Sequence, residues 1–482
     1  MSDNNTNTGS PRSLFAPMFA PATLLTREQC DAIAKKVLSF AKADETRVSI
    51  SSSANGNMRF AVNQASTSGD NYDNTVTVRS AFGKRSASST TNSHDDDSLK
   101  AVVERAESLA KLAPEDPEAM PELGPQTYAN SPAWAEATAS LDAAGRASAV
   151  NAITTASKAA GLVSTGFLDT NLAAIAVANN KGLFAYHRQT AAALSTTVRT
   201  ADATGSGWAG AATNDFSKID PAALGKRASD KARRSVNAVA IEPGRYTVVL
   251  EPTAVGNIVG LIQGAFDARS ADEGRSFFSK SGGGTKIGMK VFDERVTLSS
   301  DPMDPDTPGA PFGGDGAPVG RRLWIEKGVL RTLSYDRYWA QQKGVAANGG
   351  GGGGRGGGGG GGAGGGALKM LGGEHTLDEM IASTQRGILC TRFWYIRGVD
   401  QRTVLFTGLT RDGTFLIENG KVTRPVKNLR WNESPVFVLN NIEMLGRPER
   451  VISNEAGSAG AAMLMPPIKA KDFNFTSASD AV

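Results

Sequence analysis

The chain has 482 residues, of which 40% are hydrophobic and 21% are charged. This composition is typical of a globular protein and argues against a disordered or fibrous one. The formal net charge of +4 is small for this length and indicates no particular acidic partner. The length allows two or three domains, each with a sizeable core.

Apolar runs are short and cysteines are few. Stretches such as 172–178 and 436–439 fall well short of the roughly 20 residues that cross a bilayer. Residues 1–13 lack the basic-then-apolar pattern of a secretory signal. Cys30 and Cys390 lie far apart and do not form a disulfide framework. We therefore expect a cytoplasmic protein with no membrane partner.

The first ordered elements are predicted to be a helix and a set of β-hairpins. Residues 1–25 are expected to form a disordered tail. Thr26 opens a capping-box pattern that predicts a helix running toward residue 43. The elements predicted next are strands over 47–52 and 58–63 around a turn at Asn55-Gly56, strands over 75–82 and 86–91 around Gly83-Lys84, and a helix over 95–112.

A second helical and hairpin stretch follows. An Ala-rich helix is predicted over 133–159, and long strands over 164–178 and 183–202 flank a tight turn at 179–182. A helix over 221–236 carries a basic run. Such a run is usually a solvated helix face, so we expect no nucleic-acid partner. The basic residues are Lys226, Arg227, Lys231, Arg233 and Arg234.

Beyond Gly244 the chain becomes strand-rich, with one helix predicted near 255–266. The segments 324–329 and 416–422 each predict a strand, a two-residue turn and a strand. Residues 349–366 are nearly all glycine and are interpreted as a loop insertion between ordered segments.

The predicted fold class is therefore α+β. An N-terminal α/β-hairpin domain is expected over 26–240, and a strand-rich C-terminal domain over 241–482.

Histidines are too sparse for a zinc-binding pair on one helix. The chain has only His94, His187 and His375, and no two lie closer than about ninety positions. His94 adjoins a run of aspartates, which is more typical of a solvated helix start than of a metal site. His187 lies in a predicted strand and is interpreted as structural. The residues alone therefore predict no metal ligands.

Cys390 admits two interpretations. It lies in an apolar and aromatic strand candidate, where a buried cysteine acts as a small hydrophobic residue. Arg392 and Arg397 nearby could instead stabilise a thiolate, which leaves a catalytic cysteine open.

The segment 391–397 is the main candidate binding surface. Arginine beside tryptophan and tyrosine is typical of anchoring patches, so Arg392, Trp394 and Tyr395 are predicted to contact a binding partner. Strand alternation would place Arg392 and Trp394 on one face and Tyr395 on the other. The alternative is a strand between two packed layers, with its arginines paired to carboxylates.

Several motifs, in order along the chain, resemble the TldD/PmbA (TldE) metallopeptidase family. In the C-terminal half these are 245–250, 315–322, 325–330 with 335–338, 407–425 and 468–477. In the N-terminal half, 57–60, 66–69 and 82–86 with 92–99 are similar to a longer-chain branch of the family. The resemblance covers most of the chain from Cys30 to Ser477.

The resemblance also identifies a missing motif. TldD-type subunits carry HExxxH on the helix after the strand that matches 247–250, and a cysteine near the C-terminus completes their zinc site. Here that helix offers only the amides of Asn257 and Gln263, and residues 451–482 contain no cysteine. Amides are not among the usual ligands of zinc. The chain is thus closer to the TldE/PmbA type, with zinc expected only in a TldD-like partner.

This resemblance implies a role in the proteolysis of unfolded peptides, as the non-zinc-binding subunit of a heteromeric peptidase. Two alternatives remain open. One is a peptide-binding scaffold with no peptidase partner. The other is an independent hydrolase whose unorthodox site is built on Cys390 or His375.

Overall fold

A computed structural model of the protein describes residues 24–348, 367–455 and 459–479. The predicted loop insertion at 349–366 lies outside these residues, as does most of the predicted tail. The prediction of a disordered tail over residues 1–25 is wrong for Leu25, which has defined contacts. Its backbone N–H donates to Ser52 Oγ at 3.0 Å, and its side chain packs against a buried cluster that includes Val37 and Ile50.

The N-terminal part is one antiparallel sheet with helices packed on it. The strand order is β3-β2-β1-β4-β5-β6. The elements are α1 (Arg27–Phe40), β1 (Glu45–Ala61), β2 (Gln64–Phe82), β3 (Arg85–Thr91), α2 (Asp96–Leu112), α3 (Glu136–Ala139), α4 (Ala143–Ala159), β4 (Leu162–Asn179), β5 (Phe184–Thr200), β6 (Ser206–Thr213) and α5 (Pro221–Arg234).

Side-chain caps fix the starts of the helices. The predicted capping box is confirmed, because Thr26 Oγ1 accepts from Gln29 N–H and Gln29 Oε1 accepts from Thr26 N–H. The single Ala-rich helix predicted over 133–159 is wrong. Asp142 Oδ1 accepts from Gly145 N–H at 2.8 Å, which caps a new helix and separates α3 from α4.

The predicted turn at Asn55-Gly56 is also wrong. β1 runs straight through it, and Gly56 faces Asp70 on β2 and Thr170 on β4. A Cβ at Gly56 would lie 2.2 Å from Arg146 Nη1, so close approach of a side chain explains the glycine. The turn falls instead at Val62 and Asn63, whose φ values are 50° and 60°.

The helices cover one face of this sheet. Even-numbered residues of β1, such as Ile50 and Met58, point into cores formed with α1 and α2 and with α4 and α5. Odd-numbered residues such as Ser49 and Ser51 point the other way. That second face is turned toward the C-terminal part of the chain.

The C-terminal part contains the remaining elements. These are β7 (Gly244–Leu250), α6 (Pro252–Val259) with a 3₁₀ segment (Gly260–Phe266), α7 (Ala268–Asp272), β8 (Leu298–Ser300), β9 (Arg322–Glu326), β10 (Val329–Leu330), α8 (Arg337–Lys343), β11 (Lys369–Met370), α9 (Leu377–Ala382), β12 (Arg386–Asp400), β13 (Leu405–Glu418), β14 (Lys421–Pro425), β15 (Leu429–Glu433), α10 (Pro435–Asn440), β16 (Ile442–Leu445), β17 (Glu449–Ile452), β18 (Ala462–Met465) and β19 (Ile468–Ala478).

Five of these strands close on themselves. The order β12-β7-β19-β15-β13 returns to β12 through the β12–β13 ladder, so the strands form a small barrel. A separate sheet has the order β10-β9-β8-β11-β18-β17. The hairpins predicted at 324–329 and 416–422 are confirmed as β9–β10 and β13–β14. The α+β fold class is likewise confirmed.

The boundary predicted near residue 240 falls between α5 and β7. No helix in the described ranges is long and apolar enough to cross a membrane.

Aromatic packing fills the barrel. Phe473 is fully buried, stacks on Phe393 at a centroid distance of 5.6 Å and meets Trp431 edge-on at 5.9 Å. Phe473→Ala is therefore expected to lower the free energy of unfolding by about 3–5 kcal/mol, because it opens a cavity in a packed core. Urea unfolding measures the change.

Leu112→Ala is the control for this substitution, since Leu112 is 84% exposed. We expect a change within about 0.5 kcal/mol there. Equal effects of the two substitutions would contradict the barrel core.

Candidate functional site

A cavity of about 780 Å³ lies between the open face of the N-terminal sheet and the C-terminal part of the chain. We call it the cleft. Its floor carries small and hydroxyl-bearing side chains from β1, β2 and β5, including Ser49, Ser51, Thr75, Thr77 and Ala191. The serine and threonine hydroxyls are uncharged and can both donate and accept hydrogen bonds.

The opposite wall of the cleft carries unused hydrogen-bonding atoms. Arg450 Nη2 is bound to Asp306 Oδ1 at 2.5 Å, but Arg450 Nε has no hydrogen-bond partner among the described residues. Thr307 Oγ1, also at this wall, has none within the same residues. Both atoms are buried, so they belong to the packed interior of this wall.

Helix α6 packs entirely inside the protein, and all eight of its residues are buried. Asn257 Oδ1 accepts from Phe393 N–H at 3.0 Å, and Asn257 Nδ2 donates to the Ser453 carbonyl at 2.9 Å. Both atoms of this amide therefore bind backbone. The helix predicted over 255–266 continues as the 3₁₀ segment, from which Gln263 reaches the cleft.

The residues of α6 do not fit a zinc ion. The helix carries neither imidazole nor carboxylate, and its one amide is used internally. Across the described ranges, no group of three or more His, Cys, Asp or Glu residues could hold a metal ion.

Arg392 is paired inside the protein. Its Nε donates to Asp412 Oδ2 at 3.0 Å, and Asp412 Oδ1 accepts from Ser206 Oγ at 2.6 Å. Burial alone would raise the pKa of Asp412, but Arg392 and Ser206 hold that pKa below its usual value. The guanidinium also lies 4.8 Å from the Trp208 ring. Arg392 thus has the carboxylate partner that the alternative interpretation expects, and its contact with a peptide stays a prediction.

Trp394 and Tyr395 lie at the surface end of the same strand. The Trp394 ring is half-buried between Arg392 and Arg411, at 5.0 and 5.1 Å. Tyr395 is 50% exposed and has a φ of 52°, which marks a bulge that interrupts the strand alternation. Neither residue lines the cleft.

The sequence matches three domain descriptions along most of its length. They are PmbA/TldA metallopeptidase domain 1 over residues 47–110, the central domain over 128–236 and the C-terminal domain over 243–477. The chain belongs to the PmbA/TldD metallopeptidase family.

Among curated relatives, a metalloprotease of Methanothermobacter thermautotrophicus is 24% identical over 246 residues, 50% of this chain and 51% of that protein. A TldD homolog metalloprotease of Buchnera aphidicola is 29% identical over 161 residues, 33% of each chain. The chain thus spans between a third and about a half of the length of these relatives.

Two solved structures share the fold over nearly the whole chain. TldE from Thermococcus kodakarensis has a TM-score of 0.79 at 19% identity and covers 93% of this chain and 100% of its own. A putative modulator of a DNA gyrase from Thermotoga maritima has a TM-score of 0.79 at 17% identity, with the same coverage. At these identities the likeness shows the fold alone.

In this PmbA/TldD chain Cys390 is not placed to act as a nucleophile. The residue is fully buried in the barrel, and burial, with Glu251 nearby, raises the pKa of its thiol well above the usual range. His375 lies elsewhere, at the start of α9, with Nδ1 3.5 Å from Glu379 Oε2. Cys390 and His375, the two residues proposed for an unorthodox hydrolase site, therefore lie in different environments.

The basic helix α5 is largely neutralised by ion pairs. Lys231 Nζ lies 2.6 Å from Glu251 Oε2, with both side chains nearly buried, and Arg227 lies 3.3 Å from Glu449. Sequence reasoning missed these partners and also Asp412. Glu251 is 20 positions from Lys231, and Asp412 is 206 from Ser206, so no local spacing pattern could have shown the contacts.

His187 lies on the cleft side of β5, and its ring meets the Phe312 ring edge-on, with the ring centroids 6.5 Å apart. Its side chain is buried, and burial lowers its pKa from 6.5 to about 4, so the ring is neutral at pH 7. Its Nε2 has no hydrogen-bond partner within the described residues. The geometry fits the structural role predicted from its strand position.

This lowered pKa predicts a pH dependence of stability. The unfolded chain binds the proton more tightly, so the contribution of neutral His187 is complete above pH 6.5 and is lost as the pH falls to about 4. Between pH 6.5 and pH 4, we expect the free energy of unfolding of the wild type to fall by about 3 kcal/mol relative to that of His187→Phe. Urea unfolding of both proteins at several pH values measures it; parallel pH profiles would contradict it.

Proposed function

We propose that this chain is the non-zinc-binding, TldE-like subunit of a heteromeric peptidase that acts on unfolded peptides. In this proposal the chain shapes the peptide cleft and a TldD-like partner supplies the zinc. One observation carries it: where active relatives are expected to hold their ion, α6 is a buried helix whose amide is already bound to backbone.

The chemistry of the cleft supports an extended peptide as the ligand. Ser49, Ser51, Thr75 and Thr77 offer hydroxyl groups without charge, and Thr307 lies opposite them. Such groups bind the repeating amides of any extended chain and discriminate weakly between side chains. A folded domain keeps its amides paired internally, so unfolded segments are the favoured ligands.

Arg392, Trp394 and Tyr395 stay proposed contact residues outside the cleft. The Arg392 guanidinium binds Asp412 and also supports the Trp394 ring. We also propose a cytoplasmic location, for which the two free and buried cysteines, Cys30 and Cys390, are suited.

The heteromer makes a testable prediction about zinc. The chain should be co-expressed with a TldD-type relative that carries HExxxH, and both the isolated chain and the co-purified complex analysed for metal. We expect stoichiometric zinc and chelator-sensitive hydrolysis of casein only in the complex, because only the partner offers ligands.

Zinc bound stoichiometrically to the isolated chain, with turnover of its own, would overturn the proposed subunit role. Failure of the two chains to associate, with peptide binding intact, would favour the scaffold alternative.

A second prediction concerns the cleft itself. Ser51→Trp should obstruct its floor with an indole ring and weaken binding of a fluorescein-labelled unfolded peptide by about tenfold or more, as fluorescence anisotropy would show. Ser88→Trp is the matched control, because Ser88 pairs with Arg79 on the same face of the sheet but lies outside the cleft. Equal affinities of the two variants would count against the cleft as the peptide site.

A further inference from the structure

A second cavity, of about 800 Å³, lies between α5, the start of α6, α9 and the β13–β14 hairpin. We call it the charged pocket. It shares no lining residue with the cleft. Neither the family resemblance nor the proposed function assigns a role to it.

The charged pocket has an apolar floor. Leu389 and Phe415 come from the barrel strands and are 4% and 1% exposed. Leu377, Ile381 and Val422 extend the same apolar cluster around them. A hydrophobic side chain placed on this floor would lose contact with water on most of its surface.

Most acidic groups at the rim are already neutralised. Glu251 is bound to Lys231 at 2.6 Å, and Glu449 lies 3.3 Å from Arg227. A further acidic residue at the rim, Asp230, has a carboxylate oxygen 2.6 Å from the Lys226 ammonium. These carboxylates therefore do not serve as partners for the other cations of the pocket.

Two cations are left without a carboxylate partner. Among the described residues, neither Arg234 nor Lys421 forms an ion pair within 4.0 Å. The Arg234 guanidinium instead lies over the Phe415 ring at 5.2 Å, which places positive charge directly above the apolar floor. Asp378, in the first turn of α9, also lines the pocket and would repel a doubly charged anion.

We propose that the charged pocket binds the C-terminal carboxylate of a peptide that ends in a hydrophobic residue. The carboxylate would bind the Arg234 guanidinium and the Lys421 ammonium, while the last side chain packs against Phe415 and Leu389. A free inorganic anion would leave the apolar floor unused. The inference does not rest on the proposed function, because the cleft is a separate cavity.

The test compares two peptides that differ in one group. The probe is the N-terminally fluorescein-labelled tetrapeptide Ser-Ala-Leu-Phe, as the free acid or as the C-terminal amide, titrated with the full chain and followed by anisotropy. We expect the acid to bind about tenfold more tightly, because only the acid offers a charged acceptor to the two cations. Equal affinities would overturn the proposal.

Substitutions test whether the preference for the free acid comes from the two unpaired cations. Arg234→Gln and Lys421→Gln should each weaken the acid about tenfold and leave the amide nearly unchanged. Arg233→Gln is the matched control, since Arg233 is the neighbouring residue on α5, lies 3.5 Å from Asp230 and does not line the pocket. A loss of the same size in the control would assign the effect to general charge and overturn the proposal.

Two further arms complete the experiment. Ser51→Trp should preserve the preference for the acid, so that a failure of the cleft and a failure of the charged pocket give different results. Millimolar inorganic phosphate should displace the labelled acid poorly. Complete displacement by phosphate would make this a site for inorganic anions and would overturn the peptide assignment.

Discussion

A buried ion pair and a hydrogen bond to a buried carboxylate join the halves of this protein, between which the cleft lies. Asp412 on β13 binds Arg392 on β12 and Ser206 on β6, so the barrel is tied to the edge of the N-terminal sheet. Lys231 on α5 binds Glu251, the residue before α6. Removing one partner of such a pair leaves a buried charge uncompensated, which costs roughly 3–5 kcal/mol. These contacts therefore help to hold the two halves, and with them the walls of the cleft, in their relative position.

The same contacts bear on the anchoring patch that charge and aromatic composition predict around Arg392. An arginine beside tryptophans has the composition of an anchoring patch, yet Arg392 lies between Trp208 and Trp394 and directs its guanidinium at Asp412. The two binding surfaces proposed above are made of less distinctive residues. Hydroxyl groups line the cleft, and the charged pocket combines two unpaired cations with an apolar floor.

The sequence predicted those elements that depend on contacts between residues close together in the chain. The capping box at Thr26 and the hairpin at Gly83 depend on neighbours within a few positions, and both form as expected. Asn55-Gly56 has the composition of a turn, but strands on both sides and the approach of Arg146 override it. The partners of Arg392 and Lys231 come from distant segments, and local pattern contains no information about them.

Helix α6 is held in place by polar contacts at its start and in its middle. The helix begins directly after Glu251, which forms an ion pair with Lys231. In its middle, Asn257 Oδ1 accepts a hydrogen bond from the backbone N–H of Phe393. A zinc-binding helix must keep imidazole and carboxylate groups pointed at open space, where they cannot contribute to a core. Helix α6 carries neither group, and all eight of its residues, Thr253 and Asn257 among them, are buried. A helix so buried lies between the two cavities: Pro252 at its start lines the charged pocket, and Gln263 in the 3₁₀ segment that follows it lines the cleft. This placement suits the subunit role proposed above, in which the chain positions a peptide.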